Sequence, residues 1–531
     1  MTPEVADRVA AGLLRGLGEA PVVHCEIDWS GPVELPLPDE TAVQAACGIA
    51  HVHGRAAGRP QRLGIDYASA LAGVLAAQAA LAGTLGRSRG AAITSARTSV
   101  AQAALLGVGQ YLAVATTDDD WVESWEPGGR PPFRTRDEVR FELETLHPEG
   151  WQRFWRRLGA DAADVAAGWW PFQQRFATAA AHLPEGLHAL ARRYPYAEIA
   201  RAAREAGTSV LPVRAQPSQP VGVPACSLRE LPGPGSSRRW QRGEPLDGIT
   251  VVESARRIQG PMVGHVLRML GAEVVRVEPP GGDPMRGIPP MSGGCSARFR
   301  ALNDGKRVEE IYLKSAAGRR ALLELVAEAD VFVHNWAPGR AERCGLDADD
   351  LAASRPGLVY AWSSGWAPLD WPEPPLGTDF LVQAHSGIAA AVQPPGEPSA
   401  PSLMTLTDVL GGLVCAAGVL AALVRRERTG RGSRVDSSLY SAAGVLPRRA
   451  RPPAPLVATA DGHLALPEGS ALDPARLRRA TTEHWVRRLA AEGVRATPVC
   501  ADLRELAADP RVKAALQRST HVSPLPPWEF A

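Results

Sequence analysis

Residues 249–278 have the sequence ITVVESARRIQGPMVGHVLRMLGAEVVRVE, and this stretch decides the fold class. Its two ends, Ile249–Glu253 and Val274–Glu278, are short apolar runs that predict buried strands. Between them, Pro261–Leu270 has the apolar spacing of a helix, and Gly271 follows as a helix stop. A strand–helix–strand unit of this length predicts two parallel strands joined by a right-handed crossover, and therefore an α/β domain.

A segment rich in Pro, Ser, Gly and Arg precedes this unit and predicts an exposed, irregular linker. The chain has 531 residues, too many for one ordinary domain. A helix at 318–329 and a strand at 331–335 extend the predicted sheet. The predicted division has four parts: a first unit at 1–213, the linker at 214–244, an α/β domain at 245–446 and a C-terminal region at 447–531.

Similar stretches in the two halves of the chain indicate an internal repeat. Residues 40–49 (ETAVQAACGI) resemble residues 379–388 (DFLVQAHSGI), and an aspartate, Asp66 or Asp408, precedes an Ala-rich helix in each half. Weaker similarities pair 133–137 with 457–462, and 207–213 with 493–499. The opening of the α/β domain, residues 246–335, has no counterpart in the first unit. The chain therefore reads as one nearly full unit preceded by a truncated copy.

Composition and charge are those of an ordinary globular protein, with a formal net charge of +1 and no basic field for nucleic acid. The seven cysteines are dispersed without a C-x-x-C pair, which argues against a metal site and suits reduced thiols in a cytosol. Residues 1–19 lack the apolar core of a signal peptide. Val409–Val424 is short and Gly/Ala-rich, which predicts a core helix. We expect a cytoplasmic protein without a membrane partner.

Two aspartates are candidates for chemistry. Asp408 stands before the apolar run, where a carboxylate commonly acts as a helix N-cap. The same position keeps a carboxylate ionised, as a nucleophile requires, so the two roles are compatible. Asp379 lies earlier, and two acids in one cleft could divide nucleophilic and proton-handling roles.

The turn at 255–264 (ARRIQGPMVG) joins the first strand to its helix. It lacks the G-x-G-x-x-G spacing of a dinucleotide site, which disfavours NAD, although the helix N-terminus suits an anionic or polar ligand. Glu278 ends the second strand, where an acid could meet a ribose, and a solvated strand end is the simpler role. His334 and His385 are expected to be structural.

Residues 245–446 closely resemble the class III (CaiB/BaiF-type) CoA-transferases, motif after motif and in the same order. The matching motifs are PLDGI at 245–249, LGAEVVRVEP at 270–279, GDPMR at 282–286, NDGKR at 303–307, NWAPG at 335–339 and TGRG at 429–432. Weaker resemblance covers 455–515 and most of 36–225. The resemblance implies an α/β fold in which a Rossmann-like parallel sheet binds CoA beside a smaller second region.

The resemblance also implies a reaction. Asp408 matches the family's nucleophilic aspartate, which takes CoA from an acyl-CoA through an aspartyl-CoA intermediate and passes it to a carboxylic acid. Asp379 matches a second acid beside the reacting centre. CoA thioesters are implied as substrates, without a tightly bound cofactor and without a metal. The residues expected to contact CoA are Gln259, Lys314, Asn335, Trp336 and Arg343.

The chain also departs from the family pattern. Ala337 replaces a common arginine, and a glycine-rich loop that would stabilise an oxyanion is missing after Leu446. Pro127-Gly128-Gly129 in the first unit is a candidate to replace that loop near Asp408. Family members form interlocked homodimers, so we expect a pseudo-dimer within one chain, or a homodimer. Asp66, set opposite Asp408 in the repeat, is expected to be a relic that caps its helix.

Two other functions remain open. An α-methylacyl-CoA racemase has the same fold, but those enzymes show G-H-D where this chain has Gly377-Thr378-Asp379, so Thr378 argues against it. A catalytically degenerate protein that binds CoA esters would bind CoA without exchanging it.

Overall fold

The structure is a computed structural model that describes residues 3–117, 129–218, 220, 222–234, 243–447, 455–467, 470 and 472–531. The elements of the first unit are α1 (Glu4–Leu17), β1 (His24–Asp28), α2 (Glu40–Ala46), α3 (Ile49–Gly54), α4 (Tyr67–Ser88), β2 (Ser95–Ser99), α5 (Val100–Ala115), β3 (Phe133–Arg134), β4 (Arg140–Glu144), α6 (Pro148–Arg157), α7 (Ala162–Thr178), α8 (Glu185–Ala191), α9 (Tyr196–Ala206) and β5 (Ser209–Pro212).

The second unit begins with a strand in the predicted linker and continues to the C-terminal residues. Its elements up to residue 364 are β6 (Cys226–Pro234), β7 (Thr250–Ser254), α10 (Gln259–Met269), β8 (Glu273–Glu278), β9 (Met291–Ser292), β10 (Cys295–Ser296), α11 (Ala297–Asn303), β11 (Arg307–Glu310), α12 (Ala316–Ala327), β12 (Val331–His334), α13 (Arg340–Cys344), α14 (Ala348–Ser354) and β13 (Val359–Ser364). Those that follow are α15 (Asp379–Ser386), α16 (Ile388–Ala391), α17 (Leu406–Thr429), β14 (Arg431–Ser438), α18 (Leu439–Ala443), β15 (Val457–Ala458), β16 (His463–Ala465), α19 (Pro474–Leu477), α20 (Thr482–Ala491), β17 (Thr497–Pro498), α21 (Leu503–Ala508), β18 (Leu516–Arg518), β19 (Val522–Pro524) and β20 (Glu529–Phe530).

The largest sheet has seven strands in the order β11-β8-β7-β12-β13-β14-β6. Its first six strands are parallel, and β6 is antiparallel to β14. The unit β7–α10–β8 lies where the sequence predicts it, and α12 with β12 continues the sheet. The expectation of a Rossmann-like α/β fold is confirmed. The carboxyl ends of parallel strands meet at one edge, where ligands of such sheets bind.

The prediction of an irregular linker is wrong for part of its length. Cys226–Pro234 forms β6, the edge strand of the large sheet, and Leu228 lies opposite Val435 of β14. Prolines and glycines in this segment led to the prediction of a loop, because composition alone does not distinguish an edge strand from a loop. An edge strand tolerates proline, since one of its sides needs no N–H donor. Residues 235–242 of the predicted linker lie outside the described residues.

Two long apolar helices, α4 with 22 residues and α17 with 24, pack against each other in the main core. The Tyr67 hydroxyl donates to the Leu406 carbonyl at 2.9 Å, and Gln78 Nε2 donates to the Leu413 carbonyl at 2.6 Å. Both helices are long and apolar enough to cross a membrane, but 94% of the most apolar window of each is buried inside the protein. The stretch predicted as a core helix, Val409–Val424, is therefore buried in α17.

The two units repeat one arrangement with a constant spacing of 339 residues, the separation of Tyr67 and Leu406. Those two residues begin α4 and α17, and the same spacing relates the starts of α2 and α15. It also relates Ser99 and Ser438, whose side chains cap α5 and α18. In each unit two parallel strands, β1 and β2 or β13 and β14, flank these helices. The internal repeat is thus visible in the fold as well as in the sequence.

The two units dock reciprocally. Helix α15 contacts β4 and β5 of the first unit, while α2 contacts β16 and β17 of the second. The Arg214 amide donates to the Ala384 carbonyl at 3.1 Å, and the Cys500 amide donates to the Ala45 carbonyl at 2.9 Å. Ala45 and Ala384 occupy matching positions of α2 and α15. Reciprocal contacts of this kind are typical of an isologous dimer.

Candidate active site

Two adjoining cavities lie at the carboxyl edge of the large sheet. The larger cavity, of about 650 Å³, is lined by residues at the ends of four strands, Ser254, Glu278, Asn335 and Ser364. The smaller cavity, of about 400 Å³, is lined by Asp379 and Asp408. Both are lined by Leu146, Arg256, Arg257 and Thr378, which therefore form the junction between them. The two aspartates singled out in the sequence come together at this site.

Asp379 is the first residue of α15, and its carboxylate holds the start of α17. Its Oδ2 accepts hydrogen bonds from the amides of Thr407 (2.6 Å) and Asp408 (2.8 Å) and from the Thr407 hydroxyl (2.8 Å). Its Oδ1 accepts from Gln383. Amides at a helix N-terminus lack partners within the helix, so Asp379 satisfies them from outside. Burial raises the pKa of Asp379 to about 6 even with these donors.

Asp408 is the third residue of α17, and the N-cap position belongs to Thr405. The N-cap role expected for Asp408 is therefore not observed. Among the residues that the structure describes, none donates a hydrogen bond to its carboxylate. Burial and the neighbouring Asp379 raise the pKa of Asp408 well above its ordinary value, while Arg257 and Arg298 oppose this shift. Asp408 is thus a carboxylate that lines a cavity and has few partners of its own.

The turn between β7 and α10 places two arginines at the junction. Asn335 fixes this turn, because its Oδ1 accepts from the Arg256 amide at 3.0 Å and its Nδ2 donates to the Arg256 carbonyl at 2.8 Å. Arg257 has a φ of 66°, in the left-handed region that is unusual for a residue with a Cβ. From the sequence, both arginines were predicted only to belong to a turn. The sequence feature that could have identified them is a pair of adjacent arginines just before the helix whose N-terminus was expected to face the ligand.

The residues predicted to contact CoA divide into two groups. Lys314, Asn335 and Trp336 line the larger cavity. Gln259 and Arg343 line neither cavity. Gln259 is buried and donates from Nε2 to the Ser364 carbonyl at 3.1 Å.

Arg340, which was not among the residues predicted to contact CoA, is the arginine of α13 that lines the larger cavity. Its guanidinium lies over the Trp336 ring, 5.3 Å from the centroid. Arg343 is exposed and lies over Gly339, where an added Cβ would stand 2.9 Å from its Nη1. The two arginines are separated by less than one helical turn, so the sequence pattern alone did not tell which one faces the cavity.

The first unit supplies part of the smaller cavity, including Glu144, Leu146, Arg175 and Phe176. Arg175 pairs with Glu144 at 3.2 Å, and its guanidinium lies over Phe380, 4.6 Å from the ring centroid. The site is therefore built from both units. No group of three or more His, Cys, Asp or Glu side chains that could hold a metal occurs in the part of the chain that the structure describes.

The candidate replacement for the glycine-rich loop falls largely outside the described residues, which omit Pro127 and Gly128. The Gly129 carbonyl accepts from the Leu183 amide at 3.1 Å and lies 2.9 Å from His188 Nε2. Gly129 lines neither cavity. An approach of this loop to Asp408 stays a prediction.

The residue that matches Asp408 in the first unit is Ser69, and the pairing of Asp66 with Asp408 is wrong. Glu40 accepts from the amides of Ala68 (2.9 Å) and Ser69 (2.8 Å), as Asp379 accepts from those of Thr407 and Asp408. The constant spacing of 339 residues gives the same pairing and sets Asp66, the N-cap residue of α4, opposite Thr405. Asp66 makes no side-chain cap hydrogen bond to α4. Asp66 resembles Asp408 in residue type but stands three residues earlier in its helix.

A family model described as CoA-transferase family III matches residues 31–221 and 246–449, and the two segments fit a repeated copy. The acetyl-CoA:oxalate CoA-transferase of Acetobacter aceti is 37% identical over 198 residues, which are 37% of this chain and 51% of that protein. The succinyl-CoA:glutarate CoA-transferase of Mus musculus is 33% identical over 201 residues, 37% of this chain and 46% of that protein. A CAIB/BAIF family protein from Brucella suis, solved by crystallography, is 28% identical over 52% of this chain and 88% of its own, with a TM-score of 0.47. The chain spans about half the length of the curated relatives it matches.

Proposed function

The chain belongs to CoA-transferase family III, and on this premise we propose that it moves CoA from an acyl-CoA thioester to a carboxylic acid through Asp408. The observation that supports this proposal is the place of Asp408 in the smaller cavity, beside the junction with a larger cavity at the carboxyl edge of the sheet. A thioester that enters with its CoA in the larger cavity brings its carbonyl carbon to the junction.

The reaction proceeds by four acyl-transfer steps, of which two load CoA onto the Asp408 carboxylate and two release it as the new thioester. A carboxylate oxygen attacks the thioester carbonyl carbon, the C–S bond breaks, and CoA thiolate leaves an aspartyl–acyl anhydride. The thiolate then attacks the Asp408 carbonyl carbon, the donor acid leaves as its carboxylate, and an aspartyl-CoA thioester remains. An acceptor carboxylate reverses these steps with its own acyl group, and the Asp408 carboxylate is regenerated.

The surrounding residues hold and tune this carboxylate. Asp379 accepts a hydrogen bond from the Asp408 amide at 2.8 Å, which holds the Asp408 backbone in place. Asp379 is therefore a positioning residue in this scheme. Arg257 opposes the rise in the pKa of Asp408, which keeps more of it in the ionised form that attacks. Trp336, Lys314 and Arg340 line the larger cavity and are proposed to contact CoA.

We further propose that the first unit takes the place of a second protomer. It contributes Glu144 and Arg175 to the smaller cavity and docks reciprocally through α2 and α15. The assignment of 1–213 as a truncated copy of the family and of 245–531 as a nearly full copy, and the cytoplasmic location, belong to this proposal.

The experiment that tests the proposal is mass spectrometry of the intact protein after incubation with acetyl-CoA or butanoyl-CoA. We expect a CoA adduct that maps to Asp408 and is released by hydroxylamine. Asp408→Asn should give no adduct, whereas Asp66→Asn should give the wild-type amount. A protein that binds CoA esters without an adduct would be a degenerate relative. Exchange of an α-proton in D2O without CoA transfer would indicate a racemase.

A further inference from the structure

The smaller cavity continues beyond the junction where the thioester carbonyl would lie. Its lining that is not shared with the larger cavity includes Ile258, Met285 and Ile288 from the second unit. When CoA occupies the larger cavity and the carbonyl carbon stands at Asp408, the acyl group has this remaining space. The residues there decide which acids the enzyme accepts.

Much of that lining is apolar. Phe176 of the first unit and Phe380 of α15 line it together with Ile258, Met285 and Ile288. Burial of an acyl chain against these side chains removes apolar surface from water and favours each added methylene. A pocket of about 400 Å³ is within the usual range for small ligands.

The charges of the smaller cavity oppose a second carboxylate on the substrate. Glu144, Asp379 and Asp408 place three carboxylates on its lining. Arg175 is already paired with Glu144, at 3.2 Å, and both side chains are less than a tenth exposed. A distal carboxylate would therefore lose water beside these anions, and the buried cation that lines the cavity, Arg175, already has a carboxylate partner.

The other basic residues that line the smaller cavity lie at its junction with the larger cavity or are exposed. Arg256 and Arg257 also line the larger cavity, so they face the end where the thioester lies. His147 is exposed. Asp283 adds a fourth carboxylate to the lining, paired at 2.6 Å with the buried Arg276.

We infer that the smaller cavity selects acids with an uncharged, apolar chain and rejects dicarboxylic acids, so that both donor and acceptor are apolar monocarboxylates. This inference rests on the proposed function. It also makes the first unit part of the specificity pocket, because Phe176 and the Glu144–Arg175 pair come from it.

The test compares two thioesters of equal chain length, hexanoyl-CoA and adipoyl-CoA, which differ at the far end by a methyl group and a carboxylate. We expect kcat/KM for CoA exchange by the full chain to be at least about 100-fold higher with hexanoyl-CoA, from the cost of burying an unpaired charge. Between butanoyl-CoA and hexanoyl-CoA, each methylene should add about fourfold.

A pair of variants at one lining position provides the control. Ile288→Arg adds a cation to the pocket and should lower the hexanoyl-to-adipoyl ratio about tenfold or more, whereas Ile288→Gln, polar but uncharged, should lower it much less. Equal or better use of adipoyl-CoA by the wild-type protein overturns the inference and leaves CoA transfer standing. Absence of exchange and of adduct with every thioester, acetyl-CoA included, overturns the proposed function and this inference with it.

Discussion

Ser69 occupies in α4 the position that Asp408 occupies in α17. Each is the third residue of its helix, and each donates its amide at 2.8 Å to the acid that begins the matching helix, Glu40 or Asp379. The Ser69 hydroxyl also donates to Glu40, at 2.5 Å. A serine there cannot form an aspartyl thioester. The first unit thus retains the support for a nucleophile without the nucleophile itself.

Loss of Asp408 should therefore not be compensated by the first unit. Asp408→Asn is expected to lower exchange by several orders of magnitude, because the covalent route is closed. The double variant Ser69→Asp/Asp408→Asn should stay inactive, since Ser69 lines neither of the two cavities described above. Initial rates of acyl-CoA exchange measure both.

Asp66→Asn is the matched control for these variants. Asp66 stands opposite Thr405, so this variant should keep wild-type exchange. Recovery of activity in the double variant, or an inactive Asp66→Asn protein of normal stability, would contradict the assignment.

The acid limb of the pH–rate profile should depend on Arg257. Asp408 must be ionised to attack, so activity rises with pH through its pKa, which burial and Asp379 raise and Arg257 lowers. Arg257→Gln removes the favourable charge, and the limb should move to higher pH. Profiles of kcat/KM from pH 5 to 9 measure the shift.

Arg256→Gln is the control for Arg257→Gln, because Arg256 lines the same junction but does not figure among the main charges acting on Asp408. Its acid limb should move less. An unchanged limb in Arg257→Gln would show that this guanidinium does not act on the reacting carboxylate.

Affinity for CoA should distinguish Arg340 from Arg343. Arg340 lines the larger cavity against Trp336, whereas Arg343 is exposed and lines neither cavity. Arg340→Ala is expected to weaken binding of free CoA about tenfold or more, through loss of a contact to phosphate, and Trp336→Ala should weaken it through loss of ring contact. Calorimetric titration with CoA measures each Kd. A larger loss in Arg343→Ala would restore the residue chosen from the sequence.

The stability of the protein at acid pH should depend on His53. This buried side chain lies 2.8 Å from Ser402 Oγ of the second unit, and burial lowers the pKa of His53 to about 3. In the unfolded chain His53 binds a proton below about pH 6.5, whereas in the folded protein it stays neutral down to about pH 3. The free energy of unfolding therefore falls on acidification through this window, by up to about 1.4 kcal/mol per pH unit from this residue.

The variant His53→Asn keeps a polar group near Ser402 and removes the titration. It should be less stable than wild type at pH 8, and the difference in the free energy of unfolding between the two proteins should become smaller toward pH 5. Urea denaturation at pH 8, 6.5 and 5 measures this difference, with the exposed His484→Asn as control. A difference that does not change with pH would exclude a buried neutral His53.

The parallel sheet was predictable because strands buried on both faces leave apolar runs such as Ile249–Glu253. The edge strand β6 was not predictable, because an edge strand tolerates proline and glycine on its unpaired side and its sequence therefore resembles that of a loop. The repeat was visible in residues 40–49 because the α2 and α15 helices share their buried face.

The register of the repeat was harder to predict. Matching Asp66 to Asp408 by residue type shifted the pairing by three positions, while helix starts at Tyr67 and Leu406 fix it. For the same reason, the sequence did not tell whether Arg340 or Arg343 lines the cavity. Packing, and not residue type, determines which side of a short helix faces a cavity. The roles of Arg257 and of Glu144 depend on chain folding that brings distant segments together, which no local pattern records.

The reciprocal bonds from Arg214 to Ala384 and from Cys500 to Ala45 join halves of one polypeptide. Their association is therefore intramolecular and is governed by an effective concentration that does not depend on the amount of protein present. The smaller cavity, to which the first unit contributes Glu144 and Arg175, should therefore stay assembled when the protein is diluted to concentrations at which two separate subunits would dissociate.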